Sequence, residues 1–147
     1  MGNEPKVRTL DAKVVQADAE RASSKILDLL AVQGKTTRAR ATLLECSRYD
    51  PEENVHQAHH PWSVYDLPVE ELQQAMDRVR KAFPANGWTI VEDGPDSSPA
   101  KTPTLTANSD DGKLSARIQL LDERARGETS VLTVTVVSTC FRSKGAN

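Results

Sequence analysis

The stretch TLTANSDDGKLSARIQLLDERARGETSVLTVTVVSTC, residues 104–140, decides the fold. Apolar residues alternate with polar ones at Leu105 and Ala107, then at Leu114, Ala116, Ile118 and Leu120, and again at Leu132, Val134 and Val136. A period of two lines up each set on one side of a strand, the pattern of an antiparallel sheet with one face on a core and one toward water. Between the first two sets, DDGK at residues 110–113 reads as a hairpin turn, because Asp-Gly accepts the positive φ angles that a tight antiparallel turn demands. ERARGE at residues 123–128 closes the next hairpin. The final third is therefore a meander, and the preceding chain must cover its apolar face.

Working backward, WTIVED at residues 88–93 reads as a further strand, joined to the meander by DGPDSSPAKTP (93–103), whose Pro/Ser content predicts a mobile linker. Before it, PVEELQQAMDRVRKAF (68–83) has helical spacing: Leu72, Met76, Val79 and Phe83 form one stripe with Ala75 beside it. Pro68 fits a first turn, Glu70 and Glu71 complement the positive end of the dipole, and Pro84, Asn86 and Gly87 end the helix. A second stripe, Ala19, Ala22, Ile26, Leu29 and Leu30, predicts a helix over 14–32 with Gly34 as its stop. TTRARATLLECSR (36–48) alternates with Ala39, Ala41 and Leu43 on one face and reads as one strand. The predicted fold is α+β, with two helices packed on one face of a mainly antiparallel sheet of about five strands, in the order α-β-α-β-β-β-β. Residues 14–142 form a single domain, 1–13 a flexible leader, 48–67 a long loop and 143–147 a tail.

The totals agree with one folded core: 147 residues, 37% hydrophobic and 27% charged, lie far from the composition of disordered chains. A formal charge of -2 and a pI near 5.9 exclude an electrostatic nucleic-acid footprint. The basic clusters RVRKAF and DERARGE are surrounded by acids and read as solvated faces. No apolar run approaches bilayer length and no secretory h-region is visible.

Cys46 and Cys140, the two cysteines, each follow a predicted strand. The even count and the strand-end positions point to a disulfide, which would place the protein in an oxidising compartment; two buried, reduced thiols are the alternative. Their spacing excludes a CxxC redox or zinc site. The polar opening GNEP, the strand ending in Cys46, Leu67 and Pro68 opening a helix, Gly87 and Trp88 opening a strand, and the terminal Ser138, Thr139 and Cys140 together resemble the small lipoproteins of actinobacteria. That resemblance covers most of the chain in pattern only. It implies an extracellular, membrane-anchored protein, with Met1 standing where the lipid-bearing cysteine would be.

The candidate chemistry lies in the predicted loop. It holds all three histidines, His56, His59 and His60, together with Tyr49, Trp62 and Tyr65. Imidazoles at that spacing are possible Zn²⁺ or Cu²⁺ ligands, but no secondary structure is visible to fix their geometry, so no metal site is assigned. The blander reading has Trp62 and Tyr65 pinning the loop to the core with the histidines facing water. No GxSxG elbow accompanies Ser63, the adjacent Glu70 and Glu71 diverge on a helix, and NSDDG lacks the alternating ligands of a calcium loop. The sequence thus favours a non-enzymatic binding or interaction domain at the cell surface, without a cofactor. Its partner would be a protein or small ligand met by the aromatic and histidine loop, its only membrane contact an N-terminal lipid. A small metal-binding protein or enzyme using the same loop is the alternative, and an intracellular regulatory domain the second. An exposed edge strand could pair two copies, but nothing selects that over a monomer.

Overall fold

The computed structural model describes residues 7–144. The chain forms β1 (Thr9–Leu10), α1 (Ala12–Leu30), β2 (Lys35–Arg38), β3 (Thr42–Glu45), β4 (Val55–Tyr65), α2 (Val69–Ala82), β5 (Trp88–Pro95), β6 (Pro103–Ser109), β7 (Leu114–Leu121), β8 (Val131–Ser138) and β9 (Phe141–Ser143). The α+β class and the mainly antiparallel sheet stand, but the sheet has nine strands rather than about five. It runs β1-β9-β4-β8-β7-β6-β5, with β2 and β3 also paired to β4. Among the described residues the one parallel pair is β1 with β9.

The meander folds as its alternation demands. Leu105, Ala107, Ala116, Ile118, Leu120, Leu132, Val134 and Val136 are all buried in one core with the helix stripes. The alternate face is polar and half-exposed: Thr133 and Thr135 stand opposite Gln119 and Arg117 of the neighbouring strand. In the turn after β6, Gly112 takes φ 75° while Asp111 accepts bonds from the Ser109 hydroxyl at 2.7 Å and the Lys113 amide at 2.9 Å. The α2 stripe Leu72, Ala75, Met76, Val79 and Phe83 is buried as read. On α1 the buried set is Val15, Ala19, Ser23, Ile26 and Leu30, so the stripe includes a serine. Helix α1 lies against β4 and β8, and α2 against β7, β8 and α1.

Gly34 does not end α1. Ala31, at φ 54°, takes the left-handed cap position. A Cβ on Gly34 would instead stand 2.7 Å from Leu67 Cδ1 and 2.8 Å from the Tyr65 carbonyl oxygen, so glycine is there to let two backbone segments approach.

The largest correction concerns the predicted loop at 48–67. Residues 55–65 are an eleven-residue strand, flanked along one edge by β2 and β3 and along the other by β8 and β9. The run predicted as one strand over 36–48 is correspondingly broken in two. Arg38 pairs with Trp62 and Thr42 with His59, so four steps on one side match three on β4, the count of a β-bulge. Pro61 explains the break. The Ser63 amide and the His59 carbonyl both point to this edge, so the nitrogen of Pro61, two residues from each, faces the bulge and needs no donor.

Three other boundaries move. The linker predicted mobile over 93–103 is strand at both ends: β5 runs to Pro95, β6 starts at Pro103, and Asp96 ties the turn between them. Its Oδ1 accepts from the Ser98 amide and hydroxyl at 3.0 and 2.5 Å and from the Thr102 amide at 3.0 Å. The predicted leader already contains β1 and the start of α1, with Asp11 capping through the Lys13 amide at 2.9 Å; its residues 1–6 lie outside the described residues. Ser143, placed in the tail, pairs with Leu10 in β9; residues 145–147 lie outside the described residues.

Candidate functional site

The six loop residues do not converge. Trp62 and His60 point into the core beneath α1, at 3% and 1% exposure. His59 and Tyr65 occupy the odd positions of β4 and lie on the opposite, half-exposed face. His56 lies toward the β9 end of the strand, its Nδ1 2.9 Å from the Ser143 hydroxyl and 3.2 Å from the Asn54 carbonyl oxygen. Tyr49 precedes the strand, with the Arg48 guanidinium 6.0 Å from its ring centre. Among the described residues no three His, Cys, Asp or Glu side chains are placed to hold a metal ion.

His60 was expected to face water and is instead a structural member of the core. Its Nε2 lies 2.6 Å from the Ala39 carbonyl oxygen, and its Nδ1 lies 2.7 Å from the Ser23 hydroxyl. A carbonyl can only accept, so Nε2 carries a proton and Nδ1 is left for the serine. The ring therefore bridges α1 and the bulge opposite Pro61. Glu20 and Gln16 of α1 complete the arrangement, accepting from the Ala41 amide and donating to its carbonyl, each at 2.8 Å. Backbone groups that the bulge takes out of the ladder are thus satisfied by side chains, as burial requires.

The disulfide is present: Cys46 and Cys140 are bridged, with Cα atoms 6.3 Å apart. Cys46 directly follows β3, and Cys140 lies in the break between β8 and β9, so the bridge joins the two ladders that flank β4. The chain does not stop being strand at Cys140, because Phe141 resumes pairing with His56.

Cys140 also lines a groove of about 1070 Å³ between α1 and the end of the meander. This volume is near the upper end of small-molecule sites, roughly 300–1,000 Å³. One wall is the α1 side from Asp11 to Lys25, fourteen residue steps or about 21 Å of helix. The facing wall joins the Gly87 turn to the β6–β7 turn: the Asp110 amide donates to the Gly87 carbonyl at 2.8 Å, and the Thr139 amide to the Lys113 carbonyl at 3.0 Å. Gly87, at φ 87°, turns the chain so that Trp88 enters β5 at the groove, its ring 5.3 Å from Phe83. Leu10 and Val14, 38% and 55% exposed, line it too.

The charges around the groove are of two kinds. Its carboxylates are occupied: Asp11 caps α1, Asp18 pairs with Arg21 at 2.8 Å, and Asp111 is bound within its turn. The Ser109 hydroxyl, and then the Lys113 amide, hold the Asp111 carboxyl below its ordinary range. Arg8, Lys25 and Arg48 also line the groove, and among the described residues none has a carboxylate within ion-pair distance. Of the residues singled out from sequence as a ligand loop, only Tyr49 reaches this site. A legible signal was Val14, an apolar residue off the buried stripe of α1.

No protein-family model matches the chain, and its comparison with curated proteins and with solved structures gives no match either.

Proposed function

We propose that this chain is a non-enzymatic binding domain working at the cell surface, tethered in the native protein by an N-terminal lipid as its resemblance to small lipoproteins implies, and that the groove beside α1 meets its ligand. The observation that carries this reading is the disulfide, whose Cys140 lines the groove. Such bridges persist in oxidising compartments and are rare where thiol buffers keep cysteines reduced. Here it braces the strands that line a preformed concavity whose facing wall is held by backbone hydrogen bonds, the kind of site in which little ordering cost opposes binding. The ligand surface moves from the 48–67 segment to the groove because His60 and Trp62 are spent on the core.

The test is made on the native protein in its host. Intact cells are treated with an impermeant protease, and the thiols are alkylated under denaturing conditions without reductant. Cleavage on intact cells, a membrane-fraction location and alkylation-resistant cysteines are expected. A cytosolic protein with two alkylated thiols would overturn the surface reading.

A further inference from the structure

We infer that the groove takes a single-chain anionic amphiphile, such as a fatty carboxylate, as a free molecule. This rests on the groove being the binding site. Two observations carry it. First, among the described residues four large hydrophobic ones are exposed, Leu10, Val14, Leu44 and Val91, and two of them lie in this groove with Trp88. An apolar lining that water reaches is a mark of a binding site when it is concentrated in one concavity. Second, the charge is unbalanced in one direction. Arg8, Arg21, Lys25, Arg48 and Lys113 line the groove against Asp11, Asp18 and Asp111, five cations to three carboxylates, and Arg8, Lys25 and Arg48 have no acidic partner among the described residues. An anion gains from such a rim and a cation does not.

Shape selects within that chemistry. The helix wall extends about 21 Å, longer than a compact aromatic or a sugar. A linear chain can lie along it over Val14 and Trp88 with its charged end against one of these cations. A free inorganic anion would leave the apolar lining wet. A membrane surface would have to reach a lining that is partly recessed, since Trp88 is only 8% exposed.

The experiment titrates the ¹⁵N-labelled, disulfide-intact protein with dodecanoate below its micelle concentration. Dodecanol, dodecylammonium, inorganic phosphate and vesicles of phosphatidylglycerol serve as separate arms, and amide shifts are mapped. Dodecanoate is expected to move amides of α1, the Gly87 turn and residues 109–114. It should bind about tenfold more tightly than dodecanol and show a larger margin over dodecylammonium. The variant Arg8→Gln, Lys25→Gln, Arg48→Gln, with its melting temperature checked, should lose about that tenfold while dodecanol binding is unchanged. Equal or tighter binding of dodecanol or dodecylammonium in the groove overturns the anionic class and leaves the groove reading standing. Binding to vesicles or phosphate without binding of monomeric dodecanoate also overturns it. If no arm moves groove amides, the inference and the groove reading fall together.

Discussion

Replacing His60 with leucine tests whether this histidine is structural. Leucine has a similar bulk, so no large cavity opens, and the loss is confined to two hydrogen bonds. The Ala39 carbonyl, in an exposed residue that water can reach, loses its donor, at about 1 kcal/mol for a typical net hydrogen bond. The fully buried Ser23 hydroxyl loses its partner, at about 1–3 kcal/mol for an unsatisfied buried group. Their sum is about 2–4 kcal/mol, which in a chain of this size lowers the melting temperature by about 5–15 °C. Urea and thermal unfolding followed by circular dichroism read it directly, with His59→Leu on the opposite face as a control expected within about 0.5 kcal/mol of the parent. Ser23→Ala separates the two bonds: in a double-mutant cycle with His60→Leu the costs should fall short of additive by about 1 kcal/mol. Long-range ¹H–¹⁵N spectra should show a proton on Nε2. A His60→Leu variant as stable as the parent, or a ring protonated only on Nδ1, would refute the assignment.

Three further perturbations follow from the packing and charges described. Changing Cys46 and Cys140 together to serine opens a link spanning 94 residues, and the chain-entropy relation gives a loss of up to about 4.7 kcal/mol, measured as a fall in urea midpoint against the oxidised parent. Gly34→Ala should cost about 1–3 kcal/mol through overpacking against Leu67 and the Tyr65 carbonyl; an unchanged melting temperature would show that the segments need no close approach. The Arg124 guanidinium, aided by the Arg124 amide, holds the Asp122 carboxyl down to about 2. A carboxyl depressed by folding stabilises above its unfolded value of about 3.9 and loses that contribution as pH falls toward 2, so parent and Asp122→Asn should converge over this window; a constant gap between their urea midpoints from pH 5 to 2 would count against the pairing.

The meander was legible because one face of each strand is nearly all aliphatic and its turns carry glycine at positive φ. The β4 strand was not, although it has the same alternation, because its buried face reads Ala58, His60, Trp62 and Val64. A histidine in the core hides a period of two, and Pro61 beside it argues against any central strand. Both departures share one cause, the bulge of residues 39–41, visible only once two distant segments pair. The Pro/Ser content of 93–103 misled in a different way. It describes turn chemistry as well as it describes disorder, and Asp96 decides between them through bonds to residues that composition does not order. The groove was nearly invisible because it is assembled from segments near residues 10, 48, 87, 112 and 140, none of which is a motif alone.

The position of β4 between two ladders also sets the order of assembly. Its amide at Ala58 meets the Ser138 hydroxyl, 80 residues later, and that whole edge is supplied by β8 and β9. A chain emerging from its amino end would present β2, β3 and β4 with an open edge of unpaired backbone groups until β8 and β9 arrived. Pairings so distant in sequence close slowly. Cys46 would meanwhile wait without a mate, free to capture the wrong sulfur, so truncating even the final strand should trap the molecule at the stage where that edge is most adhesive.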